Sequence, residues 1–293
     1  MRFEFISLSR DKWPVSFMCR LFGVTPQGYR KWLKNLNRPY KHAVLLALIL
    51  GILAEDEEND NYGIERMFAA LKLKGYEGSQ SKVARVMREN GLIHKPARKP
   101  NGLTKADKEA QKSDNLLNRD FSADKPNEKW VTDITQLPTA DGTLYISGMF
   151  DCFDSTAVGL TMDDNMRDEL VVATLRQAVA MYGSGAIVHS DRGSQYTSRD
   201  YRDAVSELGV TQSMNSAAGR CHDNAKCESM WARAKVEKFY RIDTSKMPME
   251  LVKRIAFRYF MGYWNNRRIC TAIGGITPAM KRAQYYAVSE TAA

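Results

Sequence analysis

Three acidic residues, Asp133, Asp191 and Glu228, lie in local sequences that would bring them together in a folded chain. Asp133 lies in a short apolar segment, and Asp191 follows the β-branched run 186–188, so both are expected at the edges of buried strands. An acid at the carboxyl end of a strand lies where sites on open sheets usually form. Hard divalent cations such as Mg²⁺ prefer a few carboxylate oxygens and keep positions for water and phosphate. The three acids therefore predict a divalent metal site.

Such a site has a definite chemistry. With two ions about 4 Å apart, one can activate an attacking oxygen while the other stabilises the leaving oxygen of a phosphodiester. Glu228 is expected on a helix from Asp223 to Tyr240, and Lys235 falls close to its face at 3.6 residues per turn. An acid and a base would thus point the same way. Spacing alone is a weak argument, because the chain has 34 Asp plus Glu residues.

Other residues compete for chemical roles. Asp151 and Asp154 flank a strand bend, and Asp154-Ser155 is a good turn or cap pair, so both acids are interpreted as structural. His189 is interpreted as a packing or supporting residue, since metal-assisted hydrolysis needs no protein base. A zinc site at Cys221, His222 and Cys227 is not expected, because no fourth ligand lies at finger spacing.

Three longer segments carry a family resemblance. HSDRGSQYTS, GRCHDNAKCE and YWNNRRICTAIGGITPAM resemble the second-frame (OrfB) transposases of the bacterial family founded on insertion sequence three, which are relatives of retroviral integrases. The likeness runs from about His42 to the last twenty residues. It implies that Asp133, Asp191 and Glu228 form the acidic triad, and that Lys235 is the basic residue that follows the glutamate and holds a phosphate near the cut.

One feature departs from that family. Asp191 and Glu228 are separated by 36 residues, one more than is usual in the family. The extra residue is placed in the small-residue loop 215–219, and loops absorb such insertions cheaply. The assignment of Glu228 is retained, because Asp223, Asn224 and Lys235 keep their offsets from it.

The composition fits a protein that binds a polyanion. A length of 293 residues suggests about two domains, and a net charge of +9 suggests nucleic acid as the partner. The apolar segment 44–54 is too short to span a bilayer, so no membrane association is expected. Five scattered cysteines indicate reduced cytosolic thiols. The expected location is therefore the bacterial cytoplasm, and a DNA partner would place the protein at the nucleoid.

The pattern along the chain predicts an α/β catalytic domain preceded by an all-helical region. Residues 1–40 form a helix-turn-helix-like segment, with an ordinary αα-hairpin as the alternative. Residues 41–95 form a helical DNA-binding region, 96–120 a basic linker, 121–283 an integrase catalytic core and 284–293 a C-terminal tail. In the core, three antiparallel strands followed by alternating helices and strands predict a ribonuclease-H-like order, with Asp133 on the central first strand beside Asp191 on the fourth.

Several basic residues are candidates for DNA contact. Lys82, Arg85 and Arg88 share one face of a helix, which fits a recognition helix or a solvated surface helix; the family resemblance favours recognition. Arg267 and Arg268 are candidates too, although helix-end cations are equally explained by the helix dipole.

Together with the acidic residues, the family resemblance implies a DDE-type DNA transposase that cleaves DNA and transfers strands. The expected cofactor is Mg²⁺, with Mn²⁺ as a substitute, bound as two ions. The resemblance also implies the partners: the insertion-sequence ends, target DNA, further copies of the chain in a synaptic complex, and an upstream-frame helix-turn-helix protein or a fusion with it. The alternatives are a ribonuclease-H-like nuclease without strand transfer and an inactive or regulatory DNA-binding protein.

Overall fold

The computed structural model describes residues 2–36, 38, 40–94, 114–216 and 221–291. Two compact units divide the chain, Met1–Ala47 and Leu48–Ala293. Most of the expected basic linker 96–120 and most of the loop 215–219, to which the extra residue is assigned, lie outside the described residues, so both assignments stay predictions.

The first unit is helical. It contains α1 (Arg2–Ser9), α2 (Val15–Leu21), α3 (Pro26–Leu36) and the start of α4 (Ala43–Ala54). The turn between α2 and α3 contains Gly23 at a φ of 62°, and the Thr25 hydroxyl accepts a 3.0 Å hydrogen bond from the Gly28 amide at the start of α3. Ile6, Met18, Cys19 and Tyr29 form its core. The expected helix, turn and helix are therefore present, whereas α1 was not predicted.

Two further helices lie at the start of the second unit. A 3₁₀ turn (Glu57–Asn61) precedes α5 (Ile64–Leu73), and α6 (Gln80–Glu89) follows; we call α5 and α6 the helical arm. As the sequence predicts, α6 is amphipathic, with Val83, Val86 and Met87 buried and the three basic residues exposed. Within the described residues, no helix combines the length and apolar character needed to cross a membrane.

A five-stranded mixed sheet forms the centre of the second unit. Its strands are β1 (Lys129–Thr139), β2 (Gly142–Asp151), β3 (Ala157–Asp163), β4 (Ile187–Ser190) and β5 (Thr211–Met214), in the order β3-β2-β1-β4-β5. The first three strands pair antiparallel, while β4 runs parallel to β1 and β5 parallel to β4. The predicted strand order is confirmed, and β1 is central.

Helices surround this sheet. They are α7 (Asp168–Tyr182), α8 (Ser194–Thr197), α9 (Arg199–Glu207), α10 (Ala225–Ala234), α11 (Met249–Phe257) and α12 (Pro278–Thr291). Trp130, Leu175, Val188 and Tyr201 join one core between the strands, α7 and α9. The Ser198 hydroxyl caps α9 by accepting from the Tyr201 amide at 3.1 Å, as its position before the helix predicts.

Two expected helices are interrupted. The helix expected through Tyr240 changes to a π-helical turn at Lys235–Phe239. A helix that local sequence predicts from Met249 to Tyr263 begins as α11 and changes to a second π-helical turn at Arg258–Trp264. Helix α12 was not predicted, and the tail boundary drawn after residue 283 falls inside it.

Candidate active site

The register between β1 and β4 brings two of the acids together. Trp130 lies opposite Val188, and Val131 lies opposite His189. Asp133 lies two residues after Val131 in β1, and Asp191 lies two residues after His189, just beyond the end of β4. The same register therefore sets the two acids side by side. Neighbouring strands are about 4.8 Å apart, which is close enough for two carboxylates to share a cation.

Helix α10 brings the third acid to the same edge. The Asn224 side-chain amide donates a 3.1 Å hydrogen bond to the carbonyl of Thr132, the residue before Asp133. Further along α10, Trp231 packs on Gly148, which pairs with Asp133 across β1 and β2. Glu228 lies between these two anchors, so α10 holds it over the strand that carries Asp133. We call Asp133, Asp191 and Glu228 the acidic cluster.

The acids affect one another's charge. Burial is the largest cause of a rise in the pKa of Asp133 to about 7; the carboxylates of Asp191 and Glu228 contribute to that rise, while the Ile134 amide and Lys235 oppose it. Burial also raises the pKa of Asp191, against a 2.9 Å hydrogen bond from the Gly193 amide. All four residues predicted for the reaction therefore lie within one electrostatic environment.

This environment fits a partly open divalent site. Repulsion between carboxylates disfavours their charged forms, and a nearby cation reverses that effect. Asp133 and Asp191 are half-buried and Glu228 is exposed. Among the described residues, no group of three or more His, Cys, Asp or Glu side chains is arranged so that it could hold a metal ion by itself. Mg²⁺ is commonly held by one or two carboxylates together with water and substrate phosphate, so an incomplete protein ligand set suits it.

His189 is a structural residue of the site. Its ring is fully buried, with Nδ1 2.8 Å from the Ser213 hydroxyl and Nε2 2.9 Å from the Asp223 carbonyl. Burial lowers the pKa of His189, which favours the neutral ring. The imidazole therefore ties β4 to β5 and to the segment before α10, as its interpretation as a supporting residue predicts.

Asp151 and Asp154 also have structural roles, as the turn chemistry predicts. Both are fully buried, and Arg282 of α12 donates 2.6 Å hydrogen bonds to each carboxylate. The Asp154 carboxylate also accepts from the Thr156 amide at 2.8 Å. Because the guanidinium engages both acids, this pair closes the turn between β2 and β3 and attaches α12 to it. The role of Arg282 was not predicted from the sequence, because its partners lie 131 and 128 positions away.

Cys227 lies beneath the acidic cluster. Its thiol is fully buried, and burial together with the nearby Asp133 raises its pKa well above the usual value. The protonated thiol is a poor metal ligand. The side chains of Cys221 and His222, the other members of the zinc hypothesis, lie outside the described residues.

The candidate DNA-contacting residues differ in how far their side chains are exposed. Lys82, Arg85 and Arg88 are exposed together on α6, and Lys235 is half-buried at the start of its π turn. Arg267 is 61% exposed and forms a 3.0 Å ion pair with Asp56.

The DNA contact expected at Arg268 is wrong. Its side chain is only 2% exposed, and its guanidinium binds both carboxylate oxygens of Glu237, at 2.7 and 2.8 Å. The Arg268 guanidinium also lies 4.3 Å from the Trp264 ring centroid. It therefore offers no surface to a phosphate, and its partner Glu237 was not singled out by the sequence analysis.

The fold and the acidic cluster define an integrase-type catalytic core. Residues 123–221 match the integrase core domain family, a segment that includes Asp133 and Asp191. Over 273 residues, the chain is 31% identical to the insertion element IS600 uncharacterized 31 kDa protein of Shigella sonnei, covering 92% of this chain and 98% of that protein. Over 288 residues, it is 30% identical to transposase InsF of insertion sequence IS3A from Escherichia coli, covering 95% and 97%. The chain belongs to the IS3 family of insertion-sequence transposases.

Solved structures of viral integrases are also similar. A chain of the simian T-cell lymphotropic virus intasome, in complex with a PP2A regulatory subunit, has a TM-score of 0.46 and 16% identity, over 73% of this chain and 69% of that chain. The HTLV-2 integrase catalytic core domain in complex with magnesium has a TM-score of 0.39 and 12% identity, over 55% and 98%.

Proposed function

We propose that this transposase cleaves insertion-sequence ends and joins them to target DNA by divalent-metal chemistry at the acidic cluster. The observation that carries the proposal is the parallel register of β1 and β4, which sets Asp133 beside Asp191 beneath Glu228. The mutual effect of these acids on the pKa of Asp133 supports it. We assign Asp133, Asp191 and Glu228 as ligands of Mg²⁺, with Mn²⁺ as a substitute and two ions in the working site.

Bound ions of this kind activate the attacking oxygen and stabilise the leaving oxygen of a phosphodiester. In the first step, a water oxygen bonds to phosphorus at the element end, and the O3′–phosphorus bond breaks to leave a free 3′ hydroxyl. In the second step, that hydroxyl attacks a target phosphodiester, forms a new bond to phosphorus and releases the target O3′. Lys235 lies about two helical turns from Glu228 and holds a phosphate oxygen of the cut strand.

The exposed basic face of α6 supplies phosphate or groove contacts through Lys82, Arg85 and Arg88. Arg267 is a further contact at the surface. The helix-turn-helix-like segment 1–40, the helical region 41–95 and the linker 96–120 present DNA to the catalytic domain 121–283, with 284–293 as the tail. Joining two element ends requires a second copy of the chain or an upstream-frame protein, and the reaction takes place at the bacterial nucleoid in the cytoplasm.

The test is a cleavage and joining assay on labelled DNA that carries the flanking element ends, with and without Mg²⁺. The proposal predicts joined products that require the metal and the correct end sequence, with scrambled ends as the control. Cleavage without joining, even after the upstream-frame protein is added, would favour the plain nuclease. Metal-independent binding with no change in the DNA would favour a regulatory DNA-binding protein.

A further inference from the structure

A buried carboxylate, that of Glu237, links the helical arm to the π turn that follows α10. Glu237 lies in the π turn Lys235–Phe239, two residues after Lys235, and is 5% exposed. Arg268 donates to both oxygens of the Glu237 carboxylate, and the Tyr259 hydroxyl donates to Oε2 at 3.0 Å. Arg66 of α5 donates to Oε1 at 2.7 Å. Residues from the arm and from the C-terminal region thus meet on the turn that carries Lys235.

Arg66 links two parts of the molecule. Its second guanidinium nitrogen donates to the Asn61 side chain at 2.7 Å, in the 3₁₀ turn that precedes α5. Arg66 and Glu237 line one cleft with Ser229, Ala232 and Arg233 of α10. The guanidinium therefore lies beside the helix that carries Glu228 and bridges that helix to the arm.

The same 3₁₀ turn is fastened by further ion pairs. Lys238 of the π turn binds Glu58 at 2.5 Å, and Arg241 just beyond it binds Asp60 at 2.5 Å. Arg258 contributes a 3.0 Å ion pair to Asp56. These contacts come from the end of α10 and the second π turn, so the start of α5 is held in a fixed position relative to both.

Packing of α5 against α6 fixes the position of the basic face of α6 relative to α5. Helices α5 and α6 contact each other, and the faces they bury include Met67, Leu71, Val83 and Met87. Lys82, Arg85 and Arg88 lie on the opposite, exposed face of α6. A continuous series of contacts from Glu237 through Arg66 and α5 therefore joins this face to the π turn that follows α10.

We propose that Arg66 and Glu237 are positioning residues of the transposase, and that their ion pair aligns DNA held on α6 with Glu228 and Lys235. The inference rests on the proposed function. Arg268 and Tyr259 keep Glu237 engaged when Arg66 is removed, so the fold survives a change at Arg66. The ion pair thus acts on alignment rather than on DNA affinity.

The experiment compares the full-length wild type with Arg66→Gln and Arg66→Lys in the joining assay, at limiting and saturating DNA. Misalignment of reacting groups slows a bound complex, so Arg66→Gln is expected to lower the maximal joining rate by about ten- to a hundredfold. The dissociation constant for element-end DNA should stay unchanged. Arg66→Lys keeps the positive charge, so its maximal joining rate should lie between those of Arg66→Gln and the wild type. Arg176→Gln, which removes an exposed ion pair with Glu207 on other helices, is the matched control and should join normally.

A second readout is independent of the chemistry. Hydrogen exchange of the amides in 235–239 should slow when DNA binds the wild type and stay unchanged when DNA binds Arg66→Gln. The inference is overturned if Arg66→Gln joins DNA at the wild-type maximal rate, if it loses only affinity, or if its amides respond to DNA as the wild type does. If the wild type joins no DNA under any condition, the proposed function fails, and the hydrogen exchange result alone decides whether the coupling exists.

Discussion

Trp231 packs so closely on Gly148 that a Cβ atom at this glycine would lie 2.6 Å from the indole ring. Gly148 is the antiparallel partner of Asp133, and Trp231 lies one turn of α10 beyond Glu228. The ring also contacts Phe150 and Phe260 in edge-on geometry, at centroid distances of 5.5 and 5.3 Å. Because Gly148 has no side chain, α10, which carries Glu228, can approach the sheet closely beside Asp133 of β1.

A methyl group at Gly148, as in Gly148→Ala, should displace α10. Overpacking of this kind costs about 1–3 kcal/mol of unfolding free energy, and a displaced Glu228 should slow joining by about ten- to a hundredfold. Gly159→Ala is the matched control, because its Cβ would lie 2.8 Å from the Thr174 carbonyl, between β3 and α7. Thermal unfolding and joining rates should show both variants destabilised but only Gly148→Ala slow. Equal loss of activity in both would contradict the role given to Gly148.

The acidic cluster should destabilise the protein when metal is absent. Asp133→Asn removes a carboxylate whose pKa is raised by burial and by its acidic neighbours, so it should raise the unfolding free energy in EDTA by about 1 kcal/mol. Mg²⁺ should raise the melting temperature of the wild type, since a ligand that binds only the folded state stabilises it. Mg²⁺ should raise the melting temperature of Asp133→Asn much less.

The exposed variant Asp200→Asn controls for a general charge effect and should respond to Mg²⁺ like the wild type. A metal response in Asp133→Asn equal to that of the wild type would show that Asp133 is not a ligand.

Glu237 should make the protein sensitive to acid. Burial raises the pKa of Glu237, but Arg268 and then Arg66 outweigh burial and bring it to about 2, below the ordinary 4.5. Its stabilisation is therefore fully present above pH 4.5 and is lost as the pH falls from 4.5 towards 2. At pH 7, the free energy of unfolding of Glu237→Gln should be about 3–5 kcal/mol lower than that of the wild type, because Arg268 then lacks its buried charged partner.

Urea unfolding across this pH range measures the effect. The difference in unfolding free energy between the wild type and Glu237→Gln should shrink below pH 4.5. Tyr259→Phe, which keeps the carboxylate and both arginines, should follow the pH dependence of the wild type. A difference that stays constant with pH would contradict this account of Glu237.

The basic face of α6 should contribute to DNA affinity through phosphate contacts. Replacing Lys82, Arg85 and Arg88 by Gln should weaken binding and flatten its salt dependence, by about 0.9 in the log–log slope for each lost phosphate contact. Fluorescence anisotropy against salt concentration measures both quantities. The control replaces Arg176, Arg199 and Arg202, which are exposed on α7 and α9, and should change neither. An unchanged slope in the α6 variant would remove this face from the DNA interface.

Local sequence predicted the parts of the fold that depend on neighbouring residues. An Asp-Gly pair favours a hairpin turn, and residues 141–142 form one between β1 and β2. A serine before a helix favours a cap, and Ser198 provides it for α9. The neighbourhood of Asp133 and Asp191 also followed, because the order of strands fixes which of them lie side by side. The family resemblance then assigned Glu228, which spacing alone could not select among 34 acids.

What the sequence could not predict depends on distant partners. Arg267 and Arg268 are adjacent and chemically identical, yet one is exposed and the other is buried against Glu237, 31 positions away. The π turns and the bond from Arg282 to Asp151 likewise depend on tertiary contacts. Two buried acids at a strand bend do imply a cation, but nothing local indicates that it comes from α12.

The most direct test of the central claim measures strand joining by Asp133→Asn, Asp191→Asn and Glu228→Gln in Mg²⁺, with DNA binding measured on the same preparations. Divalent ions supply several kcal/mol of transition-state stabilisation, so loss of any one ligand should lower joining by about a thousandfold. All three variants should still bind element-end DNA. Near-wild-type joining by any one of the three would contradict the assignment of the acidic cluster as the catalytic site.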